Sequence, residues 1–184
     1  MGGVDANIRR DFQAQANLFV THTYNEIVFN AEAEEYRNEA SRYTQGGELE
    51  IQAVWGPRRA QLSYAFNHGE KGQGSGAPLY PRHQVDLGGE FRRLFPHVDV
   101  GANLVWRSAY QREGGDPRQP LPASTLLQAH VALSLSKRVT LTLGGSNLLH
   151  QTWRSPVDKT LAGVLPDDIP RAGRYVEVGL AARF

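Results

Sequence analysis

The chain has 184 residues, of which 40% are hydrophobic, with a mean hydropathy of −0.46 and a formal net charge of +1. No stretch approaches the roughly 18 uninterrupted apolar residues of a membrane-crossing helix, and the scattered Lys and Arg form no basic stripe for a nucleic-acid backbone. The absence of cysteine removes disulfides, thiolate metal sites and cysteine nucleophiles, and it suits a protein that crosses an oxidising periplasm without bridges.

A low mean hydropathy leaves one membrane solution open, because a strand with one apolar face averages near zero while presenting a continuous greasy surface. The start, Met-Gly-Gly-Val-Asp-Ala-Asn-Ile-Arg-Arg, has no apolar run and reads as lacking a secretory signal. Period-two alternation then recurs along the chain. The first strand sets Phe12, Ala14, Ala16, Leu18 and Val20 against Gln13, Gln15 and Asn17, and the next sets Leu49, Ile51, Ala53 and Trp55 against Glu48, Glu50 and Gln52. Ala60, Leu62, Tyr64 and Phe66 oppose Gln61, Ser63 and Asn67, and Val85, Leu87, Gly89 and Phe91 oppose Asp86, Gly88, Glu90 and Arg92. Val98, Val100, Ala102, Leu104 and Trp106 oppose Asp99, Gly101, Asn103 and Arg107. Leu127, Ala129, Val131, Leu133 and Leu135 oppose Gln128, His130, Ala132, Ser134 and Ser136, and Val139, Leu141 and Leu143 oppose Thr140, Thr142 and Gly144. The last run carries Val176, Val178, Leu180, Ala182 and Phe184 on one face and Glu177, Gly179, Ala181 and Arg183 on the other. These runs make about eight strands, each of roughly the 9 to 11 residues that a tilted bilayer-spanning strand requires.

The connections alternate in length. Tight turns are expected at Gly56-Pro57-Arg58, at 94–97 and at Lys137-Arg138, and long polar loops at 30–39, 68–81, 111–122 and 150–172. Short turns at one end and long loops at the other are the habit of outer-membrane barrels, whose short turns are periplasmic. The aromatics Phe12, Trp55, Phe66, Phe91, Trp106 and Phe184 near strand ends fit the two interfacial girdles of such a barrel. The expected fold is all-β: an antiparallel up-and-down meander of about eight long strands, part of a transmembrane outer-membrane β-barrel.

At the C-terminus the sequence resembles the TonB-dependent receptors. Asn147-Leu148-Leu149-His150, a loop, Pro170-Arg171-Ala172-Gly173-Arg174-Tyr175 and an alternating strand closing on Phe184 are similar to that family's Asn-Leu-(Leu/Phe)-Asp, long loop, Pro-Gly-Arg and terminal aromatic strand. His150 stands where the family usually has Asp, and Arg171-Ala172 separate Pro170 from Gly173-Arg174. Upstream, Gln45-Gly46-Gly47-Glu48-Leu49-Glu50, Leu62-Ser63-Tyr64-Ala65-Phe66-Asn67, Pro81-Arg82-His83 and Asn17-Leu18-Phe19 also resemble family segments, in family order.

The resemblance implies the C-terminal part of a barrel of about 22 strands, plugged in the whole protein by an N-terminal domain. It implies import of a ferric siderophore or a similarly scarce nutrient across the bacterial outer membrane. The implied partners are outer-membrane lipid, the plug and remaining barrel strands, the energising inner-membrane TonB complex and the barrel assembly machinery. Tyr175, Val176, Val178, Leu180, Ala182 and Phe184 would be the signal read by that machinery. In the loops, Tyr36, Tyr80, Tyr110, Trp153 and Arg154 are the expected ligand contacts, because aromatic and Arg side chains dominate binding hot spots.

Nothing in the residue pattern points to catalysis. Gly46-Gly47 and Gly144-Gly145 lack the strand-turn-helix setting of a phosphate loop and read as glycines that permit bending or close packing. His83 and Asp86, three apart in a strand, leave opposite faces. None of the six histidines has a partner at metal-ligand spacing, and no Ser, His and Asp grouping can be assembled. The expectation is a protein that is no enzyme and holds no metal or cofactor. A complete eight-stranded outer-membrane barrel, a soluble ligand-binding β-barrel and an outer-membrane enzyme remain as alternatives. The first would have to bury Glu48, Glu50, Asp86, Glu90 and Asp99 in a filled interior against few cations, the second would turn its apolar face inward, and the third needs a catalytic cluster.

Overall fold

The computed structural model describes residues 2–9, 11–25, 27–30, 34–38, 42–71, 80–112, 115–157 and 159–183. Its main body is one nine-stranded antiparallel sheet in which sequence neighbours are spatial neighbours. The strands are β1 (Gly2–Arg9), β2 (Phe12–Thr23), β5 (Arg42–Trp55), β6 (Arg58–Lys71), β7 (His83–Phe95), β8 (Val98–Arg107), β9 (Ser124–Ser134), β10 (Val139–Ser146) and β13 (Tyr175–Ala182). Two short hairpins stand apart from it, β3 (Ile27–Asn30) with β4 (Glu35–Asn38), and β11 (Arg154–Ser155) with β12 (Ile169–Pro170). The eight strands expected from alternation are all present, and β1 adds one more at the edge beside β2. Phe184 lies outside the described residues.

The short and long connections segregate. Connections of two to four residues join β1 to β2, β5 to β6, β7 to β8 and β9 to β10 at one end, and the long connections from β2 to β5, β6 to β7, β8 to β9 and β10 to β13 lie at the other. At the short end the turns use residues that tolerate a left-handed backbone, Gly56 at φ 60° and His97 at φ 69°. Near the end of β7 the register shifts between Phe91 and Phe95, where Arg93 takes φ 55° and donates its N–H to Asp99 Oδ1 at 2.7 Å. This is a β-bulge with its freed donor satisfied by a neighbouring carboxylate. Asp99 therefore holds the end of a strand together as well as contributing charge to its face.

The sheet is a single layer. Among the described residues the buried apolar side chains are Pro81 and Val157, and both lie outside the strands of the sheet. Leu18, Leu87, Leu143, Val178 and Leu180 are all at least half exposed. The apolar faces of the strands are thus not packed on each other in a dry centre, as a soluble barrel would require. Strand pairing puts them side by side on one surface: Leu62, Leu87, Leu104 and Leu127 form one row across β6 to β9. Rings bracket that surface at both ends. Trp55 and Phe91 meet edge to face at 6.1 Å near the short turns, while Tyr64, Phe66 and His83 cluster near the loops, with Tyr64 Oη 2.8 Å from His83 Nδ1. Phe66 and the Trp55 partner Arg58 are separated by about eight residues of β6, roughly 27 Å of strand.

The opposite face is polar and uses glycine to let side chains lie flat. One register row runs Arg59, Glu90, Gly101, His130, Gly144 and Glu177 across β6 to β13. The His130 ring lies over Gly101, where a Cβ would collide with it, and Glu177 lies against Gly144 in the same manner. In the neighbouring row Gly88 fits between Gln61 and Asn103. Arg59 Nη2 donates to Gln52 Oε1 at 2.7 Å, and Gln128 Nε2 to Ser146 Oγ at 3.2 Å. A hollow of about 500 Å³ lies over this face, lined among others by Arg59, Gln61, Glu90, Asn103, His130 and Glu177.

The seating of His130 on Gly101 yields a coupling that can be measured. Gly101→Val should destabilise the folded protein by about 1–3 kcal/mol through overpacking. Adding His130→Ala should return more than half of that loss. A double-mutant cycle from urea unfolding in detergent checks it, and additive effects would show that the two positions are independent.

Candidate functional site

The loop end carries the one region where charged side chains are buried together among the described residues, and it is assembled from two loops. Loop 108–123 folds back on itself: Tyr110 donates its N–H to Leu121 O at 3.0 Å, and Arg112 Nε donates to Gln119 O at 2.9 Å. At its tip Asp116 follows Gly115 (φ 84°), and Asp116 Oδ1 accepts the N–H of Arg118 at 3.0 Å, an Asx turn.

Loop 147–174 starts from Asn147, which is 3% exposed and sits at φ 49°. Its amide accepts Gln151 N–H at 2.9 Å and donates to Gln151 O at 2.8 Å and to Ala172 O at 3.4 Å, drawing the two ends of the loop together. Asparagine suits this place because it tolerates the left-handed region and offers both donor and acceptor. The Asn-Leu-Leu element noticed in the sequence thus has a local physical role.

Four side chains staple the loops to each other. Asp168, 4% exposed, accepts two hydrogen bonds from Arg112 (3.0 and 2.5 Å), one from Arg118 Nη1 (3.1 Å) and one from Val157 N–H (3.1 Å). Arg118 also holds Asp116 through Nε at 2.9 Å and Nη2 at 2.6 Å, and donates to the carbonyls of Val157 and Leu165. Buried charges persist only when paired and hydrogen-bonded, and two guanidinium forks on two carboxylates meet that condition. The Arg118 hydrogen bond, more than burial opposes it, holds the Asp116 carboxyl at a pKa of about 2. Arg112 is the main cause that lowers Asp168, again against desolvation.

Beside the staple is a cavity of about 420 Å³ whose walls include Tyr110, Arg112, Trp153, Arg154 and Asp168. Trp153 lies between two guanidiniums, with Arg107 Cζ 5.4 Å and Arg171 Cζ 5.8 Å from the ring centre, a doubled cation–π contact. Arg107, at the end of β8, donates Nε to Gln84 Oε1 at 3.2 Å, while its Nη1 is buried without a hydrogen-bond partner among the described residues. Burial raises the Tyr110 phenol pKa, and the Arg107 and Arg171 charges partly oppose this. Arg154 donates to the carbonyl of Asp167, and Arg171 Nε to Ser155 Oγ at 2.6 Å.

Of the five expected ligand contacts, the structure gathers Tyr110, Trp153 and Arg154 at this cavity. Tyr36 is elsewhere, 75% exposed in the β3–β4 hairpin, and Tyr80 precedes β7 with its hydroxyl against Gly69. Of the expected assembly signal, Val176, Val178, Leu180 and Ala182 share one face of β13, whereas Tyr175 lies on the polar face with Glu177, lining the hollow there. Tyr175 leaves the apolar set because successive residues of a strand point to opposite faces. Sequence reading missed Arg112, Asp116, Arg118, Asp168 and Arg171. Only the Asp-x-Arg spacing of Asp116 and Arg118 signalled a local pair. Among the described residues no three His, Cys, Asp or Glu side chains are grouped to hold a metal ion, and no helix is long and apolar enough to cross a membrane.

A one-layer antiparallel meander, apolar on one surface, polar on the other and looped at one end, is a segment of the wall of a wide β-barrel. Residues 3–148 match the family model described as TonB dependent receptor-like, beta-barrel, and the chain belongs to that family. No curated protein sequence matches it. Among solved structures, the ferric-catecholate import receptor Fiu from E. coli K12 in its closed form aligns over 96% of this chain and 26% of its own, with 15% identity and a TM-score of 0.73. The copper transporter OprC aligns over 99% and 30%, with 17% identity and a TM-score of 0.75. The ferripyoverdine receptor of Pseudomonas aeruginosa, bound to ferripyoverdine, aligns over 95% and 25%, with 14% identity and a TM-score of 0.75. The chain spans about a quarter to a third of the length of these structures. At such identity the likeness is one of fold. The relatives are transport receptors and not enzymes.

The staple has a defined response to pH. Asp116 and Asp168 have folded pKa values below their ordinary 3.8, so their contribution is present above about pH 4 and is lost as pH falls toward 2. Protease resistance of loops 108–123 and 147–174 should be flat from pH 7 to about 5 and drop below about 4. Asp168→Asn should remove the resistance at neutral pH, at a cost of about 3 kcal/mol, by leaving two guanidiniums without their carboxylate.

Proposed function

We propose that this chain forms part of the wall and ligand mouth of an outer-membrane receptor that imports a scarce nutrient, a ferric siderophore being the foremost candidate. The observation that carries the reading is the uncovered apolar surface: Leu18, Leu87, Val178 and Leu180 are exposed on a sheet with nothing packed over that side among the described residues. Water would not tolerate so large a continuous apolar face, and hydrocarbon is its natural solvent. The polar face, with Arg59, Glu90, His130 and Glu177, then meets a water-filled lumen and the plug domain of the whole receptor. In this reading the plug, the remaining barrel strands and the inner-membrane TonB complex act together with this segment. Val176, Val178, Leu180, Ala182 and Phe184 address the last strand to the barrel assembly machinery.

Ligand contact falls to the mouth. Trp153 flanked by Arg107 and Arg171, beside Tyr110 and Arg154, offers flat aromatic area and positive charge, which suits an anionic, aromatic or chelated ligand. Tyr36 and Tyr80, away from this cavity, are secondary contacts from neighbouring loops. Catalysis has no part in the reading.

Two tests follow. In the complete receptor, Trp153→Ala and Arg107→Gln should each weaken ligand binding about tenfold or more, with Tyr36→Ala and Tyr80→Ala weaker in effect. Unchanged affinity in the first two would remove the mouth assignment. For the membrane reading, Leu104→Arg on the apolar face should cost about 2–4 kcal/mol in lipid-refolded protein, while Asn103→Arg on the polar face should cost far less. Reversal of that order would overturn the assignment of the faces.

A further inference from the structure

The apolar surface is not uniform. A depression of about 930 Å³, within the range of sites that hold small molecules, crosses β2, β5 and β6 toward the loop end. On its floor Gly47 shares a register row with Leu18, Phe66 and His83, and the end of the Leu18 side chain leans over the glycine. Leu18, Val20 and Leu49 form one side, and Tyr64 and Phe66 form the other. His83 stiffens the aromatic side, stacked on Tyr64 at 6.1 Å and an interplanar angle of 16° and tilted over Phe66 at 5.2 Å.

One register row nearer the loops, the chemistry changes from apolar to cationic. His68 pairs with Gln45 across β5 and β6, and Arg82, exposed, donates Nη2 to His68 Nδ1 at 2.7 Å. A guanidinium can only donate, so Nδ1 accepts and the proton of a neutral His68 is on Nε2. Arg82 keeps its charge and further donors for an anion beside the groove. The groove is about eight residues of strand from the Trp55 end, which puts it in the half of the bilayer on the loop side.

We propose that this groove is a specific lipid site: an acyl chain lies along it against Leu18, Leu49 and Phe66, and the anionic headgroup of the same lipid is held by Arg82. The occupant is an outer-leaflet lipid whose phosphate headgroup carries net negative charge, because an apolar slot beside an exposed guanidinium complements a hydrocarbon tail with an anionic head, whereas a zwitterionic headgroup brings its own cation to the phosphate. This inference rests on the assignment of the apolar face to hydrocarbon proposed above. It adds a site, a headgroup chemistry and two residues that set it.

Native mass spectrometry of the detergent-purified full chain, with dioleoyl phosphatidylglycerol, dioleoyl phosphatidylcholine or inorganic phosphate added in turn, tests it. Phosphatidylglycerol should bind at least fivefold better than phosphatidylcholine, and inorganic phosphate alone should not bind measurably. Arg82→Gln should abolish the preference between the two lipids while leaving weak binding of both. Gly47→Val should reduce binding of both, and it should fold, since the new Cβ meets only the movable end of Leu18 and the Asn17 carbonyl at ordinary contact distance. Equal binding of the two lipids by the unmodified protein, or a preference retained in Arg82→Gln, overturns the site and leaves the membrane reading intact. Inorganic phosphate binding as well as phosphatidylglycerol also overturns it, in favour of a simple anion site. A chain that is folded and soluble without detergent sinks both proposals.

Discussion

The strands of this sheet pair their backbone groups with neighbouring strands, and this single-layer ladder is what the remaining features depend on. A helix satisfies its own backbone, but a strand cannot. In hydrocarbon each unpaired group costs several kcal/mol. Long unbroken registers, such as the one from Arg42–Lys71 to Trp55–Arg58 between β5 and β6, are therefore the main cohesive element of the sheet. No second layer supplies cohesion, since the described sheet buries none of its apolar side chains. The free edges of β1 and β13 carry the same obligation, and a barrel meets it by closing.

Once the ladder is fixed, period two decides which solvent each side chain meets, and a one-residue slip would exchange the two faces entirely. Several devices pin the register. The bulge at Arg93, held by Asp99, ends β7 at a defined place. His130 over Gly101 and Glu177 against Gly144 interlock the polar face of four strands, because neither arrangement survives a shift by one residue. Glycines that would weaken a soluble strand here let polar groups lie flat along the sheet.

The same logic explains what could be read from the sequence. The strands from β5 to β10 and β13 alternate cleanly over long runs, so their existence and faces were legible, as were the unequal connections at Gly56-Pro57 and 147–174. β1 was not read, although Val4 and Ala6 pair with Ala16 and Ala14, because it is short, begins with two glycines and turns at 10–11 without Gly or Pro. In the loops, type and approximate place of aromatic and Arg residues located Tyr110, Trp153 and Arg154. The staple was invisible: Arg112 and Asp168 are 56 residues apart in segments with no period, and only the folded sheet brings their loops together. Tyr175, adjacent in sequence to the apolar residues of β13, lies by parity on the opposite, polar face.

The loops face a different problem from the sheet and solve it with different interactions. Beyond the strands of the sheet, loops 108–123 and 147–174 have only the Tyr110–Leu121 bridge and the two-residue β11–β12 pairing for a ladder, and Val157 is their one buried apolar side chain among those described. What orders them instead is charge, with Val157 held at both its N–H and its carbonyl by the staple residues Asp168 and Arg118. Such a network contributes little net stability compared with apolar packing, because its desolvation cost is large. Its directional bonds do fix geometry. Two guanidiniums that can each satisfy Asp168 in only one arrangement hold loops 108–123 and 147–174 in a fixed relation, and Trp153 with its flanking arginines is presented on a wall already formed. A pre-formed wall loses less conformational freedom when a ligand arrives than two separate loops would. If the mouth binds ligand as proposed, the cost of burying four charges is borne by the folded protein once, and not again at each binding event.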